Sequence, residues 1–197
     1  PHVTTLLSVI TWTSLVLLLQ LFVLSSLLLT RTSSRLRGFA ALVEKEWLNA
    51  GHMFGKRLGH VSGGAAEPRE VSPVWLQFMD CVFQLTRQFP ASFEFNEQYL
   101  VQLTSLSYDG RFGNFLFDCQ RERAEHALDS TTPSVWRHMW ARRAEWRNPL
   151  WGTAGHHEST VLQPRTKLRD MELWKGYFLR WEEESGSGSS GDVQRRL

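Results

Sequence analysis

The stretch PVWLQFMDCVFQLTRQFP, Pro73–Pro90, sets a choice between two folds. Cys81 and Arg87 stand with five residues between them. That spacing is the one used when a thiolate attacks phosphate and an arginine closes the cup around the anion. Such a loop turns its backbone so that successive N–H groups converge on one point. Glycine or other small residues usually permit the turn, and VFQLT has no glycine. Trp75, Phe78, Met79, Val82 and Leu85 instead recur at helical intervals, while Gln77, Asp80, Gln84 and Arg87 fall on the opposite, wet side. On a helix, Cys81 and Arg87 are separated by ~9 Å of rise and ~240° of rotation, so they cannot grip one phosphate. The backbone amides would also be committed to helix hydrogen bonds. The stretch therefore predicts a helix that stops before Pro90, with Ser72 as cap, Pro73 at its first position and Cys81 packed as a small buried hydrophobe.

Helical spacing continues outward. LRGFAALVEKEWLN, 36–49, has apolar residues at 36, 39, 42, 43 and 47. Asn96 is positioned to cap a helix reaching about Ser107, followed by the turn Tyr108-Asp109-Gly110. Further helices are predicted from Cys119 to about Leu128, from Pro133 to about Trp146, and over Met171–Trp181. Trp136, Trp140, Trp146 and Trp151 read as core residues. GHMFGKRLGH, 51–60, reads as a basic Gly- and His-rich loop, and 61–72 as a surface linker. The segment 148–169 carries loop signals, and the tail from Gly186 has nothing to bury. No segment alternates like a long strand.

Composition narrows the function classes. Lys+Arg 22 against Asp+Glu 20 gives a net charge of +2, which does not suggest a nucleic-acid binder. The two cysteines lack metal-ligand spacing and fit a reducing compartment. His156-His157-Glu158 reads as a solvent-facing loop, not a metal site, and Glu94 and Glu97 as capping or ion-pairing residues. Residues 1–30 contain no Asp, Glu, Lys or Arg. Their Ser and Thr content favours a core segment over a membrane anchor through residues 4–30, the alternative.

The longer context carries a resemblance. GFAALVEKEWLNAGHMFGKRLGH (38–60), PVWLQFMDCVFQLTRQFPASFEFNEQYL (73–100), GRFGNFLFDCQRER (110–123), SVWRHMWARRAEWRNPLW (134–151) and LWKGYFLRW (173–181) follow one another as in the later part of a myotubularin phosphatase domain. Residues 37–181 resemble that family, 1–36 match none of its segments, and 182–197 form a tail predicted to be disordered. The resemblance implies a mainly α chain, the helical C-terminal part of an α/β protein-tyrosine-phosphatase-like domain. It implies a parent activity, removal of the 3-phosphate from phosphatidylinositol 3-phosphate and 3,5-bisphosphate through a cysteine-x5-arginine loop without a metal or other cofactor. That loop is absent from these residues, so no catalytic residue is assigned. The alternative is a catalytically dead pseudophosphatase adaptor that binds active myotubularins or phosphoinositide membranes. The resemblance further implies head-group contact by Arg57, within the basic set His52, Lys56, Arg57 and His60. Implied partners are phosphoinositide head groups, the membrane surface and other myotubularins as homo- or hetero-oligomers. The implied location is cytoplasmic, peripheral on endosomal-type membranes.

Overall fold

The computed structural model describes residues 32–60, 70–153, 161–165 and 167–181. The chain divides into two compact units, Pro1–Pro164 and Arg165–Leu197. The apolar segment 4–30, residues 61–69 of the 61–72 linker, His156-His157-Glu158 and the tail from Gly186 lie outside the described residues.

The Pro73–Pro90 stretch is a helix. In the first unit, α1 (Leu36–Val43) runs directly into a π-helical turn, Glu44–Leu48. It is followed by α2 (Phe54–Leu58), α3 (Val74–Gln88) and α4 (Glu97–Tyr108). Short helices complete the unit: α5 (Gln120–Glu125), α6 (Leu128–Thr131), α7 (Val135–Ala141) and α8 (Arg143–Trp146). The second unit has α9 (Lys175–Phe178). Among the described residues there is no strand, only one antiparallel bridge between Phe95 and Arg147. The chain is thus mainly helical, as its apolar periods predict. Among the same residues no helix is long and apolar enough to cross a membrane.

The core is aromatic and is built by residues from distant parts of the sequence. Leu36, Phe39, Leu42, Val43 and Trp47 are all buried, so the 36–47 spacing marks a single inward face. Trp47 meets Phe78 with ring centroids 4.8 Å apart and Trp75 edge-on at 5.1 Å. Phe54 packs edge-on against Trp75 at 5.3 Å and Phe115 at 5.1 Å. Phe39 lies over Phe78 and 5.0 Å from Phe95. Offset and edge-on pairs of this kind add to area burial. Trp75 also satisfies its indole, donating from Nε1 to Ser107 Oγ at 2.9 Å.

Caps set where the helices begin. Asn96 Oδ1 accepts from Tyr99 N at 3.1 Å and opens α4, as its position before the apolar run predicts. Glu94 Oε2 accepts from Leu36 N and caps α1 across 58 residues.

Several sequence expectations are corrected. Cys81 is exposed, not packed inside, and Gln84 of the supposed wet face is buried. Phe83 is buried as well. The helix is therefore covered on a wider arc than one stripe, and the arc is rotated away from Cys81. Pro73, not Ser72, occupies the cap position of α3, without a side-chain cap bond. The 51–60 segment is not a loop throughout but contains α2. The helix predicted over 133–146 breaks at Arg142 into α7 and α8. The 119–128 helix ends early because Ala127 takes a positive φ of 51°. Of the four tryptophans read as core, only Trp146 is buried, and Trp140 is exposed. Over 171–181 only Lys175–Phe178 is helical, and Trp181 is 65% exposed.

Candidate functional site

Arg57 sits on α2, a five-residue helix with Gly55 inside it and Gly59 at its end. A helix this short does not form from propensity alone. Tertiary bonds hold it. Gly55 N donates to Phe117 O at 3.0 Å, and Lys56 N donates to Asp118 Oδ1 at 3.0 Å. The 110–123 segment thus clamps the first turn. A Cβ on Gly55 would lie 3.1 Å from Asp118 Oδ1 and 3.2 Å from the Phe117 backbone, so the close approach favours glycine here. Gly59 closes the helix in the left-handed conformation, φ 75°.

The four basic residues read as one set have different surroundings. His52 lies edge-on against Trp47 at 4.9 Å and Phe54 at 4.7 Å. Burial, and then the Arg57 charge, push its pKa down to about 4, so it is neutral near pH 7. Lys56 Nζ lies 3.8 Å from both Glu70 and Asp118. Arg57 is half-buried, and its Nη1 donates to Glu70 O at 2.8 Å. Its own carbonyl accepts from Ser72 N at 3.1 Å. His60 Nε2 lies 2.7 Å from Ser107 O. The set is therefore not one converging cationic cup. Lys56 lies between two carboxylates, Arg57 bonds Glu70 O, His52 belongs to the aromatic core, and His60 ties α2 to the end of α4.

Sequence reading overlooked Arg123. It is buried, and its guanidinium donates to Leu48 O at 2.8 Å, Leu116 O at 3.4 Å and Gln120 Oε1 at 3.3 Å. Leu48 is the last residue of the π-helical turn, so this cation caps the end of that turn. Burial lowers its pKa, against the pull of Glu44 and other acids. In the sequence it is one of two arginines in the polar run QRERAE, 120–125, and nothing there marks it as buried.

Cys81 and Arg87 belong to the uninterrupted helix Val74–Gln88. Desolvation, and then the neighbouring Asp80 carboxylate, push the Cys81 thiol up, away from the thiolate form. A nucleophilic cysteine needs the opposite field. Among the described residues no three His, Cys, Asp or Glu side chains gather as a metal ion would require.

Known proteins agree with this architecture. The family model of the myotubularin-like phosphatase domain matches residues 17–124, more than half of the chain. Its match begins within the segment that the sequence reading leaves outside the resemblance. Mouse "Phosphatidylinositol-3,5-bisphosphate 3-phosphatase MTMR2" is 43% identical over 162 residues, 82% of this chain and 25% of the relative. Rat "Phosphatidylinositol-3,5-bisphosphate 3-phosphatase MTMR6" is 40% identical over 163 residues, 83% of this chain and 24% of the relative. Rat "Myotubularin" is 40% identical over 162 residues, 82% of this chain and 26% of the relative. The chain thus spans about a quarter of the length of these relatives. With the family model matching more than half of its residues, the chain belongs to the myotubularin-like phosphatase domain family.

Proposed function

We propose that these residues form the helical C-terminal part of a phosphoinositide 3-phosphatase domain, and that the catalytic cysteine-x5-arginine loop lies outside them. The observation that carries the reading is the state of Cys81. The one cysteine with an arginine six positions on is held in a regular helix, with its thiol pushed toward the protonated form. The parent activity is removal of the 3-phosphate from phosphatidylinositol 3-phosphate and 3,5-bisphosphate. Two of the relatives carry a 3,5-bisphosphate 3-phosphatase name. In this reading α2 helps to bind the head group through Arg57, whose guanidinium keeps donors to spare after its bond to Glu70 O. The partners are phosphoinositide head groups at a membrane surface, and the protein works peripherally, on endosomal-type membranes.

A chimaera tests this. Residues 37–181 replace the matching segment of mouse MTMR2, and release of phosphate from phosphatidylinositol 3-phosphate is measured. The expected result is an active chimaera in which Arg57→Ala lowers kcat/KM by ~10-fold or more, the scale of a lost charge-assisted contact. Unchanged kcat/KM in Arg57→Ala would remove the head-group role.

The same state of Cys81 also fits a pseudophosphatase adaptor that pairs with active myotubularins. Stable co-purification of the 197-residue chain with intact MTMR2, raising or lowering its turnover, would favour that reading.

A further inference from the structure

A second charged site lies where part of the aromatic wall is open: Trp140 is exposed and Trp136 half-buried beside the buried Tyr99 and Trp146. A cavity of about 330 Å³ is lined by Arg37 of α1, Tyr99 of α4, Arg137 and Trp136 of α7, and Arg143 of α8, with Trp140 on its wall. Among the described residues no carboxylate lines it. Among the described residues none of the three arginines makes an ion pair. Arg37 places its Cζ 4.3 Å from the centroid of the Trp140 ring, and Arg143 places its Cζ 5.5 Å from the same ring. The two charges therefore lie within ~10 Å of each other, about one Debye length at 0.1 M salt. Like charges gathered on one ring repel, and the acid that touches the wall, Glu44, accepts from Trp136 Nε1 and pairs with none of the three arginines. The neighbouring Arg142 shows the contrast, because it pairs with Glu145 at 2.6 Å.

We propose that Arg37, Arg137 and Arg143, grouped around Trp136 and Trp140, bind a phosphomonoester carried on an apolar body. A phosphomonoester brings close to two negative charges near neutral pH, which suits several guanidiniums better than a single carboxylate does. The guanidinium fork matches phosphate oxygens in pairs, and the indole walls cover the apolar portion. The cavity volume is that of a small-molecule site. The same chemistry is offered by a free small phosphate ester or by the head group of a phosphomonoester lipid.

The test uses the whole 197-residue chain. Phenyl phosphate is titrated calorimetrically, and vesicles of phosphatidic acid in phosphatidylcholine are tested by co-sedimentation. The variants are Arg37→Ala, Arg143→Ala and Arg143→Lys. Arg121→Ala serves as the control, because that arginine is 82% exposed and does not line the cavity. Far-ultraviolet circular dichroism verifies that each variant is folded. Saturable binding of phenyl phosphate, weakened about tenfold or more by Arg37→Ala and Arg143→Ala but not by Arg121→Ala, supports the proposal with a soluble ligand. The same pattern on vesicles alone supports it with a lipid source. Arg143→Lys is expected to bind more weakly than the parent chain, since charge survives but the fork does not. No binding in either arm, or losses equal in all arginine variants, overturns it.

Discussion

Two groups of aromatic residues in the first unit meet opposite fates. Phe39, Trp47, Phe54, Trp75 and Phe78 are fully buried and touch one another. Trp140 on α7 is 38% exposed, and its ring lies beside the guanidiniums of Arg37 and Arg143. The first group lies on elements that converge from three sides, so that rings find rings. The second lies on a two-turn helix with only one covered side, where Val135 and Met139 face inward and Trp140 does not. The same side chain type is mortar in one place and a platform for cations in the other. Residue identity alone does not separate these roles; the number of elements packed around the residue does.

The largest expected effect contrasts the two groups directly. Trp75→Ala removes a buried ring and the donor to Ser107 Oγ, and a loss of ~3–5 kcal/mol is expected. Trp140→Ala is expected to cost under ~1 kcal/mol. Urea unfolding of both variants measures the difference, and equal losses would erase the distinction between core and platform.

A second prediction uses pH, because His52 is a titratable group inside the aromatic core. Its folded pKa of about 4 lies below the unfolded value of 6.5. The unfolded chain therefore binds the proton first as pH falls. The neutral-His contribution to stability is complete above about 6.5, declines below it, and is gone below about 4. It amounts to ~3 kcal/mol at most. The parent chain should lose more stability between pH 7 and pH 4.5 than His52→Phe does. Parallel losses would show that His52 is not buried against Trp47 and Phe54.

Arg123 sharpens the comparison from the charged side. Its guanidinium is buried and bonded to carbonyls, whereas those of Arg37 and Arg143 lie over an open ring. Arg123→Ala should cost ~2 kcal/mol and loosen the 44–48 turn. Arg143→Ala should leave thermal stability nearly unchanged. Hydrogen exchange at the amides of 47–49 locates the first effect.

A final prediction concerns the contact between α4 and α8. Asn96 caps α4 and donates from Nδ2 to Glu145 O on α8. Asn96→Ala should cost ~1 kcal/mol, read as a modest fall in melting temperature.

Much of the core was legible because its signals are local. The spacing 36, 39, 42, 43 and 47, the stripe of Trp75, Phe78, Met79, Val82 and Leu85, and the Asn96 cap are all set by neighbours within a few turns. The errors arise where distant residues decide. α2 was hidden by three glycines at 51, 55 and 59, and is held by Phe117 and Asp118, some 62 residues away. Cysteine's usual burial points Cys81 inward, yet Phe83 and Gln84 take the covered arc of the helix and position 81 faces out. Arg123 looked like one more charge on a polar helix, since its partner Leu48 O lies 75 residues back in the chain. The candidate site followed the same rule. Arg57 is placed by resemblance, and the different surroundings of His52, Lys56 and His60 depend on packing that no spacing encodes.

The central claim is that Cys81 and Arg87, fixed in one helix, cannot perform phosphate chemistry. The direct measurement is phosphate release from phosphatidylinositol 3-phosphate by the purified 197-residue chain, alongside Cys81→Ser and Cys119→Ser. The account predicts no release above buffer for any of the three. Turnover by the parent chain that survives in Cys119→Ser and disappears in Cys81→Ser would contradict it.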